Sequence, residues 1–120
     1  MLIKDIRDCR AFPAIDETTI RELLHPMETG MAIACSVAHA TLGPGKSSRP
    51  HRLRTSSEIY YILDGSGVMH IGHQTADVCS GQLIFIPPGA EQYIENTSQG
   101  SLAFLCVVDP AWHEEDEEAL

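Results

Sequence analysis

His51 and Glu58 are the side chains of this 120-residue sequence whose types and spacing suit chemistry best. They lie in the stretch GKSSRPHRLRTSSEIYYILDGSG, residues 45–67, between Gly45 and Gly65. An imidazole and a later carboxylate bracketed by glycines have the spacing of a metal-binding β-hairpin. Residues 51 and 53 share a face on a strand, but position 53 is leucine, which has no donor atom. Farther along, Gln92 follows the Pro87–Pro88–Gly89 turn and opens a segment in which Gln92, Ile94 and Asn96 share a face. Its amide oxygen is a neutral and weaker donor than imidazole for a first-row transition metal. Tyr60, two residues beyond Glu58, points the same way and suits a general acid or a hydrogen-bond donor to substrate. A glutamate facing an interior is costly to bury unpaired, so Glu58 requires a cation, an arginine or a raised pKa.

Charge narrows the partners. The chain carries 17 acidic and 8 basic residues, a formal net charge of −9, whereas nucleic acids and anionic membranes demand clustered positive charge. Four of the basic residues, Lys46, Arg49, Arg52 and Arg54, nevertheless surround His51. Arg49 and Arg52 suit bidentate pairing with a carboxylate or phosphate, which predicts an anionic ligand. The terminal run EEDEE, residues 114–118, reads as a solvated tail. His70 and His73 flank a tight turn and read as a solvated hairpin tip; His25 and His113 read as structural or idle. The four cysteines form no CxxC pair, and Cys106, inside LAFLCVV, reads as a buried small hydrophobe.

The elements that must position these side chains are strands. Beyond residue 30, short runs of Val, Ile, Tyr and Phe are punctuated by glycine or proline, which predicts strands near 31–42, 51–53, 57–64, 67–71, 74–78, 82–86, 91–96 and 101–109. Residues 16–26 fit a helix capped by Asp16 or an edge strand, and the need to cover sheet edges favours the strand. The length predicts one domain, with residues 1–30 packing as strands or a short helix on a barrel at 31–110, and 111–120 as the acidic tail. No apolar run approaches a membrane span and no basic start leads into an apolar segment, so a cytoplasmic location is expected.

The two segments together resemble the paired signature motifs of the cupin superfamily, G-x5-H-x-H-x3,4-E-x6-G and G-x5-P-x-G-x2-H-x3-N. Gly45, His51, Glu58 and Gly65 match the first; Gly81, Pro87, Gly89 and Asn96 match the second. Leu53 and Gln92 stand where the motifs place histidines. The resemblance implies an all-β, double-stranded β-helix (jelly-roll) barrel of short antiparallel strands. It also implies a divalent transition metal (Zn, Mn, Ni or Fe) held by His51, Glu58 and Gln92, and a homodimer formed by packing sheets or exchanging amino-terminal strands. The expected function is binding of a small anionic or polyhydroxy molecule by Arg49, Arg52, Tyr60 and Gln92. Glu58 or Tyr60 would then catalyse isomerase, epimerase or lyase chemistry. The alternative is a non-catalytic binding or sensing module with a degenerate metal site. Dioxygenase chemistry ranks last because its facial triad needs a second imidazole, for which His39 is a candidate only if it points inward.

Overall fold

A computed structural model describes all residues, Met1–Leu120. The β-rich reading holds: eleven strands form two antiparallel sheets that face each other as a jelly roll. They are β1 (Ala11–Pro13), β2 (Thr19–Leu24), β3 (Ser36–Leu42), β4 (His51–Leu53), β5 (Ser57–Asp64), β6 (Ser66–Ile71), β7 (Gln74–Cys79), β8 (Leu83–Ile86), β9 (Gln92–Asn96), β10 (Leu102–Asp109) and β11 (Glu117–Ala119). One sheet has the order β1-β2-β3-β10-β5-β8 and the other β11-β4-β9-β6-β7. No helix is long and apolar enough to cross a membrane.

Alternation along these strands builds the interior. Leu102, Phe104, Cys106 and Val108 of β10 are buried between half-exposed neighbours, and β5 buries Glu58, Tyr60 and Ile62 in the same rhythm. Of these, Tyr60, Ile62, Leu102, Phe104 and Cys106 close an apolar core with Ala40, Leu42, Met69, Ile86 and Ile94. Two of these inward rows change character along their length. β5 passes from Ile62 through Tyr60 to Glu58, and β9 from Ile94 to Gln92, so the polar side chains gather toward one end. The signature asparagine works elsewhere: Asn96 donates through Nδ2 to the carbonyls of Leu42 and Gly100 and accepts from the Ser98 N–H. Gly65 adopts φ +90°, and a β-carbon there would press within 3.0 Å of the Ser101 carbonyl oxygen.

The chain departs from the sequence reading at both ends of the barrel segment. The strand expected from residue 31 starts at Ser36. A bulge between Glu22 and Leu24 ends the β2–β3 pairing at Val37, and residues 25–35 make the connection, with the short α1 (Pro26–Thr29) inside it. Pro26 opens that helix, and the His25 ring accepts from the Met27 N–H as its cap. His25 Nε2 also donates to the Trp112 carbonyl at 2.7 Å. Residues 16–26 contain the strand β2, paired with both β1 and β3.

The larger departure is at the carboxyl end, where the acidic run is not a solvated tail. Asp116 is 4% exposed and accepts hydrogen bonds from the Thr55 N–H and hydroxyl and from the Ser56 N–H. Glu117–Ala119 then pair with Leu53, Arg52 and His51 of β4. Buried N–H groups left without an acceptor cost about 1–3 kcal/mol. Asp116→Ala is therefore expected to destabilise the protein by about 2 kcal/mol in urea unfolding and to free the last strand. Hydrogen exchange at residues 117–119 that stays as slow as in the parent protein would contradict that role.

Candidate functional site

A cavity of about 400 Å³ opens between the sheets, walled by β1, β2, β3, β5 and β10 and by the carboxyl-terminal segment. His51, Glu58 and Tyr60 all line it. Gln92 lies just behind, paired in register with His51 and donating its amide N–H to Glu58 Oε1 at 3.0 Å. Three of the expected site residues thus meet at one cavity, and the fourth buttresses its carboxyl group.

The geometry fixes the roles open to each. His51 is 4% exposed, and its Nδ1 lies 3.0 Å from the Arg49 carbonyl oxygen. A carbonyl only accepts, so Nδ1 carries a proton, and in the neutral ring the lone pair is on Nε2. Nε2 faces Glu117, whose Oε1 is 3.9 Å away. Glu58 receives a single hydrogen bond, from Gln92, and burial raises its pKa to about 8 against that bond, with Asp16 and Glu117 adding to the rise. Its carboxyl is consequently protonated at neutral pH. Burial likewise holds the Tyr60 hydroxyl well above its usual range, with the Tyr60 ring against Phe104 at 4.5 Å between centroids.

Two carboxylates at the site were not foreseen. Asp16 is 5% exposed; its Oδ1 accepts from the Thr18 N–H and hydroxyl, while Oδ2 lies 3.8 Å from His51 Nδ1. Glu117 accepts from the Trp112 indole N–H at 2.8 Å, and burial raises its pKa despite that bond and the neighbouring His51. Asp16 had been assigned only a capping role, and Glu117 sits in an unbroken acidic run with no alternation to single it out.

Other expectations fail on strand parity and pairing. Arg52 lies between the inward His51 and Leu53 of β4, so it faces outward and bonds Glu118, which Arg54 also contacts. Arg49 is exposed and sits 3.7 Å from Glu17. Neither arginine lines the cavity, and no other Arg or Lys does. His39 is on the opposite face of β3 from Ala38 and Ala40, which belong to the cavity wall and the core, so it supplies no second imidazole. His70 stacks on Tyr93 and bonds Glu95, away from the cavity.

The residues present do not fit a transition-metal site. No three His, Cys, Asp or Glu side chains stand close enough to share an ion, and Leu53 fills a donor position. The Gln92 amide turns its N–H toward Glu58, leaving Oε1 buried without a partner. The metal centre expected from His51, Glu58 and Gln92 is therefore not assembled by these donors.

A carboxyl with a raised pKa stays protonated in the folded protein where the unfolded chain has already ionised. From about pH 4.5 to about 8 Glu58 accordingly makes stability fall as pH rises, and above 8 its effect is constant. Such a shift amounts to roughly 5 kcal/mol at full ionisation. Glu58→Gln keeps the neutral form, so its melting temperature is expected to fall less between pH 5 and 8 and to exceed the parent's at pH 9. Parallel melting curves for the two proteins would show that Glu58 ionises normally.

Comparison with known proteins agrees with this architecture. The cupin domain family matches residues 38–108. An uncharacterized protein of Methanocaldococcus jannaschii is 39% identical over 105 residues, covering 88% of this chain and 83% of its own. An oxalate-binding protein of Thermotoga maritima is 38% identical over 71 residues, 59% of each chain. The solved structure of a predicted oxalate decarboxylase from Thermotoga maritima superposes with a TM-score of 0.80 at 26% identity, covering 91% of this chain and 99% of that one. With both signature segments inside the matched region and the jelly roll in place, the chain belongs to the cupin family.

Proposed function

We propose that this cupin binds a small uncharged or positively charged molecule in the cavity and transfers protons on it without a metal, as an isomerase, epimerase or lyase. Protonated Glu58 is the acid, His51 Nε2 the base, and the Tyr60 hydroxyl an orienting donor. In the step this supports, His51 takes a proton from a carbon beside a polarised oxygen. Glu58 gives its own proton to that oxygen, or to a departing hydroxyl. The observation that carries the reading is that one cavity is lined by a carboxyl kept protonated and an imidazole whose free lone pair is on Nε2. A carboxyl kept neutral by burial, lining the same cavity as an imidazole, suits an acid–base pair.

The oxalate named for the Thermotoga maritima relative does not suit this cavity. A dianion would face Asp16 and Glu117 with no lysine or arginine to offset them. A non-catalytic binding module is the second reading, favoured by Leu53, whose apolar side chain occupies a donor position.

Proton transfer is testable without knowing the physiological substrate. Chelator-treated, tag-free protein incubated in heavy water with a panel of hydroxy- and amino-carbonyl compounds is expected to introduce deuterium at carbon. Glu58→Gln and His51→Ala are each expected to lower that rate by about 100-fold or more. A rate that vanishes on chelation, or a stoichiometric first-row metal lost in His51→Ala, would restore the metal-dependent reading. Ligand binding with no exchange would leave the non-catalytic one.

We also infer a homodimer. Tyr61 and Leu63 of β5 and Leu83 and Phe85 of β8 form an exposed apolar stripe on neighbouring strands, and two copies of this sheet face would cover it. Light scattering is expected to give twice the 13.2 kDa chain mass, reduced to one chain by Leu83→Glu with Phe85→Glu. A monomeric parent protein would refute the dimer.

A further inference from the structure

The charge on the cavity wall names a ligand class. Besides the protonated Glu58, four acidic side chains line the cavity, from Asp16, Glu22, Glu114 and Glu117, against a single imidazole and no lysine or arginine. Of the basic side chains around His51, Arg52 and Arg54 bond Glu118, and the exposed Arg49 lies 3.7 Å from Glu17. Surface acids would be indifferent to this imbalance because water screens them, but Asp16 is only 5% exposed. Its Oδ1 is satisfied by Thr18, whereas Oδ2 has only the His51 ring nearby, at 3.8 Å. That ring cannot serve it, since Nδ1 gives its hydrogen to the Arg49 carbonyl. Asp16, itself 5% exposed, thus turns a carboxylate oxygen without a hydrogen-bond partner toward the cavity. Across the His51 ring, the half-buried Glu117 has its Oε1 3.9 Å from Nε2, also without a hydrogen-bond partner.

The rest of the wall is aromatic and apolar. Phe12, Tyr60, Phe104 and Trp112 all contribute to it, and Trp112 is the sole tryptophan of the chain. Aromatic faces beside desolvated carboxylates favour a cation over a neutral polyol. The rings attract positive charge through their quadrupoles but give hydroxyl groups few partners. A neutral ligand would also leave Asp16 and Glu117 desolvated and uncompensated.

We propose that the cavity takes a small organic cation, a protonated amine or a quaternary onium group, seated between the Asp16 and Glu117 carboxylates and the surrounding aromatic rings. This rests on the reading that the cavity is the ligand site, and it narrows the ligand to one charge class.

Trp112 provides the measurement, because it lines the cavity and no other tryptophan contributes to emission. Its fluorescence is titrated with choline, with the uncharged carbon isostere 3,3-dimethylbutan-1-ol, and with oxalate. Choline is expected to saturate a spectral change and to bind at least about tenfold more tightly than the isostere, with oxalate giving none. Glu117→Gln and Asp16→Asn are each expected to reduce that preference severalfold. Asp16 also holds the Thr18 turn, so Glu117→Gln, which leaves that turn intact, decides the matter if Asp16→Asn is unstable. Equal affinity for choline and the isostere would overturn the cation while leaving the cavity as a ligand site. Tighter binding of oxalate, or a preference unchanged in Glu117→Gln, would also overturn it. No response to any of the three probes would overturn both this inference and the cavity reading beneath it.

Discussion

Where the barrel interior changes from apolar to ionisable, one hydrogen bond spans its two sheets: the Gln92 amide on β9 donates to the Glu58 carboxyl on β5. A buried carboxyl must be paired, neutralised or hydrated, and here it is neutralised. Most of the chemistry follows from that constraint. With no cation beside it and Asp16 and Glu117 nearby, Glu58 retains its proton at neutral pH. The same arrangement makes it a poor metal ligand and, in the proposed reading, the acid. A glutamine in place of a histidine therefore changes the chemistry available to the carboxyl as well as the donor count.

The carboxyl-terminal strand is what completes the cavity. Asp116 ties the chain to the Thr55–Ser56 backbone, and pairing of β11 with β4 then fixes Glu117 beside His51. Trp112 is held by His25 through its carbonyl and by Glu117 through its indole N–H, so the connection after β2 and the chain end brace one another. Stability and site geometry are coupled here: loosening residues 112–120 would remove a carboxylate and an aromatic wall together.

Relatives with the same barrel illustrate how far fold and chemistry can separate. The superposition on a predicted oxalate decarboxylase is close across almost the whole of both chains, yet the present cavity has no lysine or arginine and the chain lacks two of the motif histidines. The scaffold determines which strand positions face inward; the side chains at those positions determine what can bind.

The residues alone carried the barrel and its central trio. Glycine and proline punctuation at fixed intervals marks the turns, and strand alternation places Glu58 with Tyr60 on an inward face, because these are local consequences of backbone geometry. His39 could not be oriented that way, since its parity depends on which face of β3 packs against the opposing sheet. Nor could Arg52 and Glu118 be recognised as partners 66 residues apart, which turned an apparent anion site into outward-facing ion pairs. Asp16 and Glu117 became part of the site only through long-range contacts: with His51, and through the pairing of the last strand with β4. Sequence settled what each strand presents to its two sides. Tertiary packing alone decided which distant charges share a desolvated space, because that depends on strand order and closure rather than on any local pattern.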